Sequence, residues 1–105
     1  MNTAKKYDVI VSDEAMNMLD QHMAFLANIS PDAAFKATQE ILDAIGSLDE
    51  YPGRFPVYEN RFITDTQYRR MLCAKRYIVL YEITEHNVFV DYIVDCRQDY
   101  ERIIK

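Results

Sequence analysis

The sequence predicts an α+β domain of order β-α-α-β-β-β, a helical hairpin packed on one face of a mainly antiparallel sheet. Three observations carry this. The strand-like runs cluster in the C-terminal half instead of alternating with helices. Two amphipathic helical patterns meet at Ser30-Pro31 with almost no link between them. A chain of 105 residues, 50% hydrophobic and with only two Gly, suits one domain spanning 1–105 with its own core.

Tyr7-Asp8-Val9-Ile10-Val11-Ser12 is a short β-branched run with Tyr7, Val9 and Val11 on one face, which predicts a strand. Ser12 or Asp13 then caps a helix whose first turn places Asp13 and Glu14 at its positive end. Met16, Leu19, Met23 and Leu26 recur at steps of three and four and predict an apolar stripe through about Asn28. Ser30 is a good N-cap for the second helix, and Pro31 fits its first position, where a missing N–H costs nothing. Phe35, Ile41, Leu42, Ile45 and Leu48 are expected to continue its buried face toward Asp49, and Tyr51-Pro52-Gly53 ends it. Residues 52–65 read as an irregular crossing. Strands follow at roughly 66–73, 76–84 and 88–95, joined by the short turns Ala74-Lys75 and Glu85-His86-Asn87.

A net charge of −5 conceals a strong asymmetry. Residues 7–53 carry Asp8, Asp13, Glu14, Asp20, Asp32, Glu40, Asp43, Asp49 and Glu50 against Lys36 alone. Residues 54–80 carry Arg54, Arg61, Arg69, Arg70, Lys75 and Arg76 against Glu59 and Asp65. Local potential governs encounter, so the second region attracts an acidic partner although the whole chain is acidic. The overall acidity disfavours tight non-specific nucleic-acid binding, which depends on many phosphate contacts. Apolar runs are far too short to span a bilayer and no secretory leader opens the sequence, so a soluble cytoplasmic protein with no membrane partner is expected.

Cys73 and Cys96 lack a CxxC partner and are expected to be buried as small hydrophobes. His22 and His86 have no second ligand at a metal-binding spacing. Asp91 and Asp95 fall on a strand, where a four-residue step is one exposed face. No Gly-rich phosphate loop occurs, which removes the usual nucleotide folds, and with no ligand-like spacing no metal or other cofactor is expected.

The chemistry-bearing residues left are Arg, Lys and Tyr on the sheet. Tyr68, Arg69, Arg70, Lys75 and Arg76 form a candidate partner-binding surface, because a sheet holds its cations at defined spacing. Metal-free RNA cleavage needs a base, an acid and cations around the phosphate, and Arg69, Arg70, Arg97 and Tyr100 are the dense supply for those roles. The competing reading pairs these arginines with acids of a partner, or with Asp95 and Asp99.

Tyr68-Arg69-Arg70 followed by Tyr77-Ile78-Val79-Leu80-Tyr81 resembles the "Y-R … Y-x-V-x-Y" signature of the RelE/ParE toxin superfamily of bacterial type II toxin–antitoxin modules. The crossing Leu48-Asp49-Glu50-Tyr51-Pro52-Gly53 and the end Arg97-Gln98-Asp99-Tyr100 resemble that superfamily in the same order. The resemblance implies a toxin neutralised by a cognate antitoxin. Met71 and Ile78 stand where the ribosome-dependent mRNA endonucleases of the superfamily carry further cations, so the chain looks more like the ParE branch, whose target is DNA gyrase. The alternatives are the ribosome and its mRNA as target, or a non-toxic relative that only binds an antitoxin.

Overall fold

The computed structural model describes residues 6–59 and 66–97. The elements within them are β1 (Asp8–Val11), α1 (Asp13–Ile29), α2 (Pro31–Gly46), β2 (Val57–Tyr58), β3 (Tyr68–Cys73), β4 (Tyr77–Ile83) and β5 (Asn87–Asp95). The strands form one five-stranded sheet of order β1-β5-β4-β3-β2, parallel between β1 and β5 and antiparallel elsewhere. With the two helices packed on it, this is the expected α+β architecture. No helix of the described residues is long and apolar enough to cross a membrane.

Both predicted caps form. The Ser12 hydroxyl accepts from the Ala15 N–H at 3.0 Å, and the Ser30 hydroxyl from the Ala33 N–H at 3.1 Å. Ser30 also ends α1, its N–H donating to Leu26 at 2.8 Å, so one residue serves two helices and makes the hairpin sharp. α2 stops at Gly46, earlier than the apolar pattern suggests, and a 3-10 turn over Ser47–Asp49 carries Leu48 into the core. Part of the crossing expected to be irregular is ordered. Pro52–Arg54 forms a second 3-10 turn, and Val57-Tyr58 zips onto β3 opposite Arg69 and Tyr68.

The helix-facing side of the sheet buries Met71, Tyr77, Val79, Tyr81, Val88, Val90 and Ile93 against Ala15, Leu19, Ile41, Ile45 and Leu48. On α2, Ala34 and Ala37 take the close contact, so the buried face runs 34-37-41-45. Phe35 and Leu42 lie about 100° further round and are 69% and 42% exposed, against expectation. Met16 is also exposed. A smaller cluster on the other side holds Tyr68, Ile78, Leu80 and Val94.

The expected exposed face of Asp91 and Asp95 does not exist. Register shifts between Leu80 and Tyr81, so Leu80 pairs with Tyr92 and Tyr81 with Val90, leaving Asp91 as the extra residue of a bulge. Asp91 turns to Tyr68, whereas Asp95 stands opposite Tyr77 and is buried. The cysteines divide as well: Cys73 is half-buried, its thiol pushed up to about 11 by burial first and by Cys96 second. Cys96 is exposed, because it lies just past the end of β5.

β1 ends at Val11 while β5 runs on to Asp95, so half of one edge of β5 has no neighbouring strand. α1 fills the gap. The Ser12 hydroxyl donates to the Asp91 carbonyl at 3.3 Å, and His22 Nε2 lies 2.9 Å from the Ile93 carbonyl. A carbonyl only accepts, so Nε2 carries the proton.

Candidate partner-binding surface

Side chains alternate across a strand, so Tyr68-Arg69-Arg70 cannot act as one patch. Tyr68 points away from the helices and is buried. Its hydroxyl donates to Asp91 Oδ2 at 2.6 Å, and its ring meets Tyr92 edge-on at 5.9 Å. Burial and then the Asp91 hydrogen bond push its phenol far above the ordinary value. Tyr68 is an anchor within the sheet.

Arg69 points the other way. Its Nη1 donates to the carbonyls of Phe55 at 2.6 Å and Gly53 at 3.2 Å, which fastens the crossing segment to β3. Arg54 does related work, donating to the carbonyls of Glu50 and Tyr51 and to the Ser47 hydroxyl while its guanidinium lies 4.7 Å over the Phe55 ring. The crossing needs such donors because Tyr51 sits in the left-handed region at φ 49°, and turns of this kind leave carbonyls unpaired.

Arg70, Lys75 and Arg76 remain. Among the described residues no carboxylate pairs with any of them. Arg70 and Lys75 are exposed and Arg76 is half-buried. Leu72 stands on the Arg70 face, 60% exposed, and sequence reasoning missed it. The signal was its two-residue step from Arg70, which puts both on the face away from the helices. Together they make an apolar step bounded by cations at the β3–β4 end of the sheet.

Arg97 lies at that same end, since the Cys96 N–H donates to the Arg76 carbonyl at 2.8 Å. Asp95 holds Arg97 with three bonds, from Nη2 at 2.8 Å, the backbone N–H at 2.9 Å and Nε at 3.1 Å. The side-chain bonds from Arg97 do most to hold the Asp95 carboxyl below its usual range. Behind the pair, an open cleft of about 770 Å³ runs along α1 past Glu14, Met18, Gln21, His22 and Phe25. That volume suits side chains of a docking segment.

The suggested RNA-cutting set does not converge. Arg69 is opposite Tyr81 and Asp95 opposite Tyr77, four residues apart on β4, so Arg69 and Arg97 belong to sites roughly 13 Å apart along the strand. Each is already bound to protein oxygens. Tyr100 lies outside the described residues.

No curated protein matches the sequence. A solved structure of a chromosomal ParDE TA system from P. aeruginosa matches in fold with a TM-score of 0.67 at 15% identity, over 88% of this chain and 98% of that one. The sequence profile of the ParE toxin of type II toxin-antitoxin systems, parDE, matches residues 9–100, from β1 through the end of the sheet. The chain therefore belongs to the ParE toxin family of type II toxin–antitoxin systems.

Proposed function

We propose that this toxin acts in the cytoplasm, arrests growth by poisoning DNA gyrase, and is neutralised by a cognate antitoxin. One observation carries the choice of a protein target over RNA: Arg69 and Arg97 are far apart and each is engaged by protein oxygens. Met71 and Ile78, where cations would extend an RNA site, are buried in the two cores. A phosphate clamp needs convergent free cations, and among the described residues the free cations of the sheet, Arg70, Lys75 and Arg76, have neither a positioned base nor acid beside them.

The antitoxin segment reads that free set. It sets carboxylates against Arg70, Lys75 and Arg76, covers Leu72, and lays apolar side chains into the cleft beside Phe25. It folds as it binds, which matches a long, shallow track more than a deep pocket.

The decisive assay adds purified chain to DNA gyrase and, separately, to translating ribosomes. Lost supercoiling with accumulated cleaved DNA, and intact mRNA, is the expected result. Unchanged supercoiling at micromolar protein together with cut ribosome-bound mRNA overturns it. Harmless induced expression without the neighbouring open reading frame would leave only an antitoxin-binding relative.

A further inference from the structure

The sheet ends at β1, and one side of that strand has no strand beside it. Backbone groups point alternately to the two sides of a strand. Asp8 and Ser12 turn theirs inward, their N–H groups donating to the carbonyls of His86 at 3.0 Å and Val90 at 2.9 Å. Tyr7 turns outward and donates to the Asp49 carbonyl at 2.8 Å. Val9 and Val11 point the same way as Tyr7, beyond the stretch that Asp49 and Glu50 accompany. Among the described residues no backbone group meets theirs on that side. Both valines pack toward the core, while Ile10 between them is 43% exposed on the face away from the helices. A row of unpaired N–H and C=O groups beside an exposed apolar side chain is a template for another strand.

The edge is complementary to itself. A two-fold axis beside Ile10 sets two copies of β1 antiparallel, with Ile10 facing Ile10 and Val9 facing Val11 of the second copy. Val9 and Val11 both turn their backbone groups outward, so each such pair exchanges both of its N–H···O bonds. Ile10 falls at the position without main-chain bonds, where opposite side chains come closest. Every one of these pairs is β-branched, the side-chain class that packs best across strands. The same axis sets Asp8 against Ser12, so no like charges stand directly opposite. A register two residues away fails. It matches a valine with Tyr7, already bound to Asp49, or with Asp13, already in α1.

Other occupants fit less well. An acidic segment meets the exposed Asp8, Asp13 and Glu14 around this edge and is drawn instead to the cationic end of the sheet. The opposite edge, in turn, rejects a second copy. Beyond Pro56, whose carbonyl takes the Arg70 N–H at 3.0 Å, a two-fold mate would bring Arg70 and Lys75 of both chains together.

We propose that β1 is a dimerisation edge, at which two copies of this chain join antiparallel about Ile10 and make their sheets continuous. The contact is independent of the target and of the antitoxin. About five residues per copy meet, well under the ~20–30 per side of a standard interface, so association is weak and follows concentration. Asp13 and Glu14 of the second copy lie just beyond Ser12, and their repulsion of Asp8 keeps the pairing from becoming tight.

Sedimentation equilibrium of the full chain from about 10 μM to about 1 mM should show a monomer–dimer equilibrium. Val9→Pro removes an outward N–H and sets a ring on the edge, a change that edge strands tolerate. It should raise the dimer dissociation constant at least tenfold, with circular dichroism confirming the fold. Ile10→Cys reads the register without relying on that variant. Facing residues at this position have Cα atoms ~4.5 Å apart, within the about 4.4–6.8 Å that a disulfide spans. In a chain also carrying Cys73→Ser and Cys96→Ser, mild oxidation should link it into dimers. Asp8→Cys in the same background is the control, since the two copies of that residue lie roughly 14 Å apart along the strands and should stay unlinked. A chain that remains monomeric throughout the series overturns the proposal. So does a dimer that Val9→Pro leaves intact and Ile10→Cys does not link, which places the contact elsewhere. A monomer that loses antitoxin binding on Val9→Pro would give the edge to the antitoxin and overturn it as well.

Discussion

The Tyr81 hydroxyl donates to the Pro52 carbonyl across 2.5 Å, from a side chain with no exposed surface. It is the innermost of several ties on the crossing segment, with Arg69 and Arg54 acting nearer the surface. Tyr81→Phe keeps the ring and strands a buried carbonyl, so it should cost about 1–3 kcal/mol. The urea midpoint at neutral pH reads this directly, and a midpoint equal to the parent's would mean water replaces the hydroxyl.

Alkali should unfold the protein earlier than its composition suggests. Burial raises the Tyr68 phenol strongly, the Tyr81 phenol to about 12 and the Cys73 thiol to about 11. Each group holds its proton more tightly folded than unfolded, so the unfolded state loses protons first and stability falls as pH rises. The contribution is complete below the ordinary thiol value of 9.0 and declines above it through the raised values. Urea midpoints measured from pH 8 to 11 should fall steadily, and a flat profile would contradict the burial of these groups.

Acid probes the other end of the sheet. Arg97 holds the Asp95 carboxyl below its usual 3.8, so the pair stabilises the fold above that pH and ceases to do so as pH drops through the lowered value. Arg97→Ala should therefore reduce the urea midpoint at pH 7, and the gap to the parent should close in strong acid. A gap that persists there would assign the loss to packing of the arginine stem.

The β3–β4 turn is strained where no glycine relieves it. Ala74 and Lys75 have φ of 49° and 72°, in the left-handed region that L residues enter at a cost of roughly 1–2 kcal/mol. Lys75→Gly should raise the thermal midpoint by roughly 4–8 °C for each 1 kcal/mol recovered. It should also loosen the antitoxin complex, because it removes one of the free cations. A stabilised chain with unchanged antitoxin affinity would remove Lys75 from the docking surface.

The two arginines of the Tyr-Arg-Arg run should behave differently. Arg70→Glu combined with Arg76→Glu should weaken antitoxin binding more than tenfold with little change in melting. Arg69→Glu should chiefly lower stability, since it puts a carboxylate against the carbonyls of Gly53 and Phe55. Calorimetric titration and thermal melts of the same variants separate the two, and an Arg69 variant that melts like the parent would refute its fastening role.

Local rules recovered the two helices and four of the five strands because each is written in neighbouring residues: Ser30-Pro31 marks a helix start, and β-branched runs mark strands. What escaped depends on partners distant in sequence. Phe35 satisfies helical periodicity as well as Ala34 does, and only close helix packing decides that the alanine goes inward. The bulge at Asp91 is invisible in β5 alone, since it is a mismatch with β4. Arg69 looked like a free cation because carbonyls of residues 53 and 55 leave no trace in side-chain chemistry.

The stand-in hydrogen bonds of Ser12 and His22 have a consequence for how far this toxin can loosen. Where α1 lies along β5 it hides a strand edge ready to recruit foreign chain. Prising the helix away would bare both carbonyls at once and turn a closed sheet edge into a seed for sheet-to-sheet growth. Helix α1 is thus a safety catch that keeps this strand edge shut.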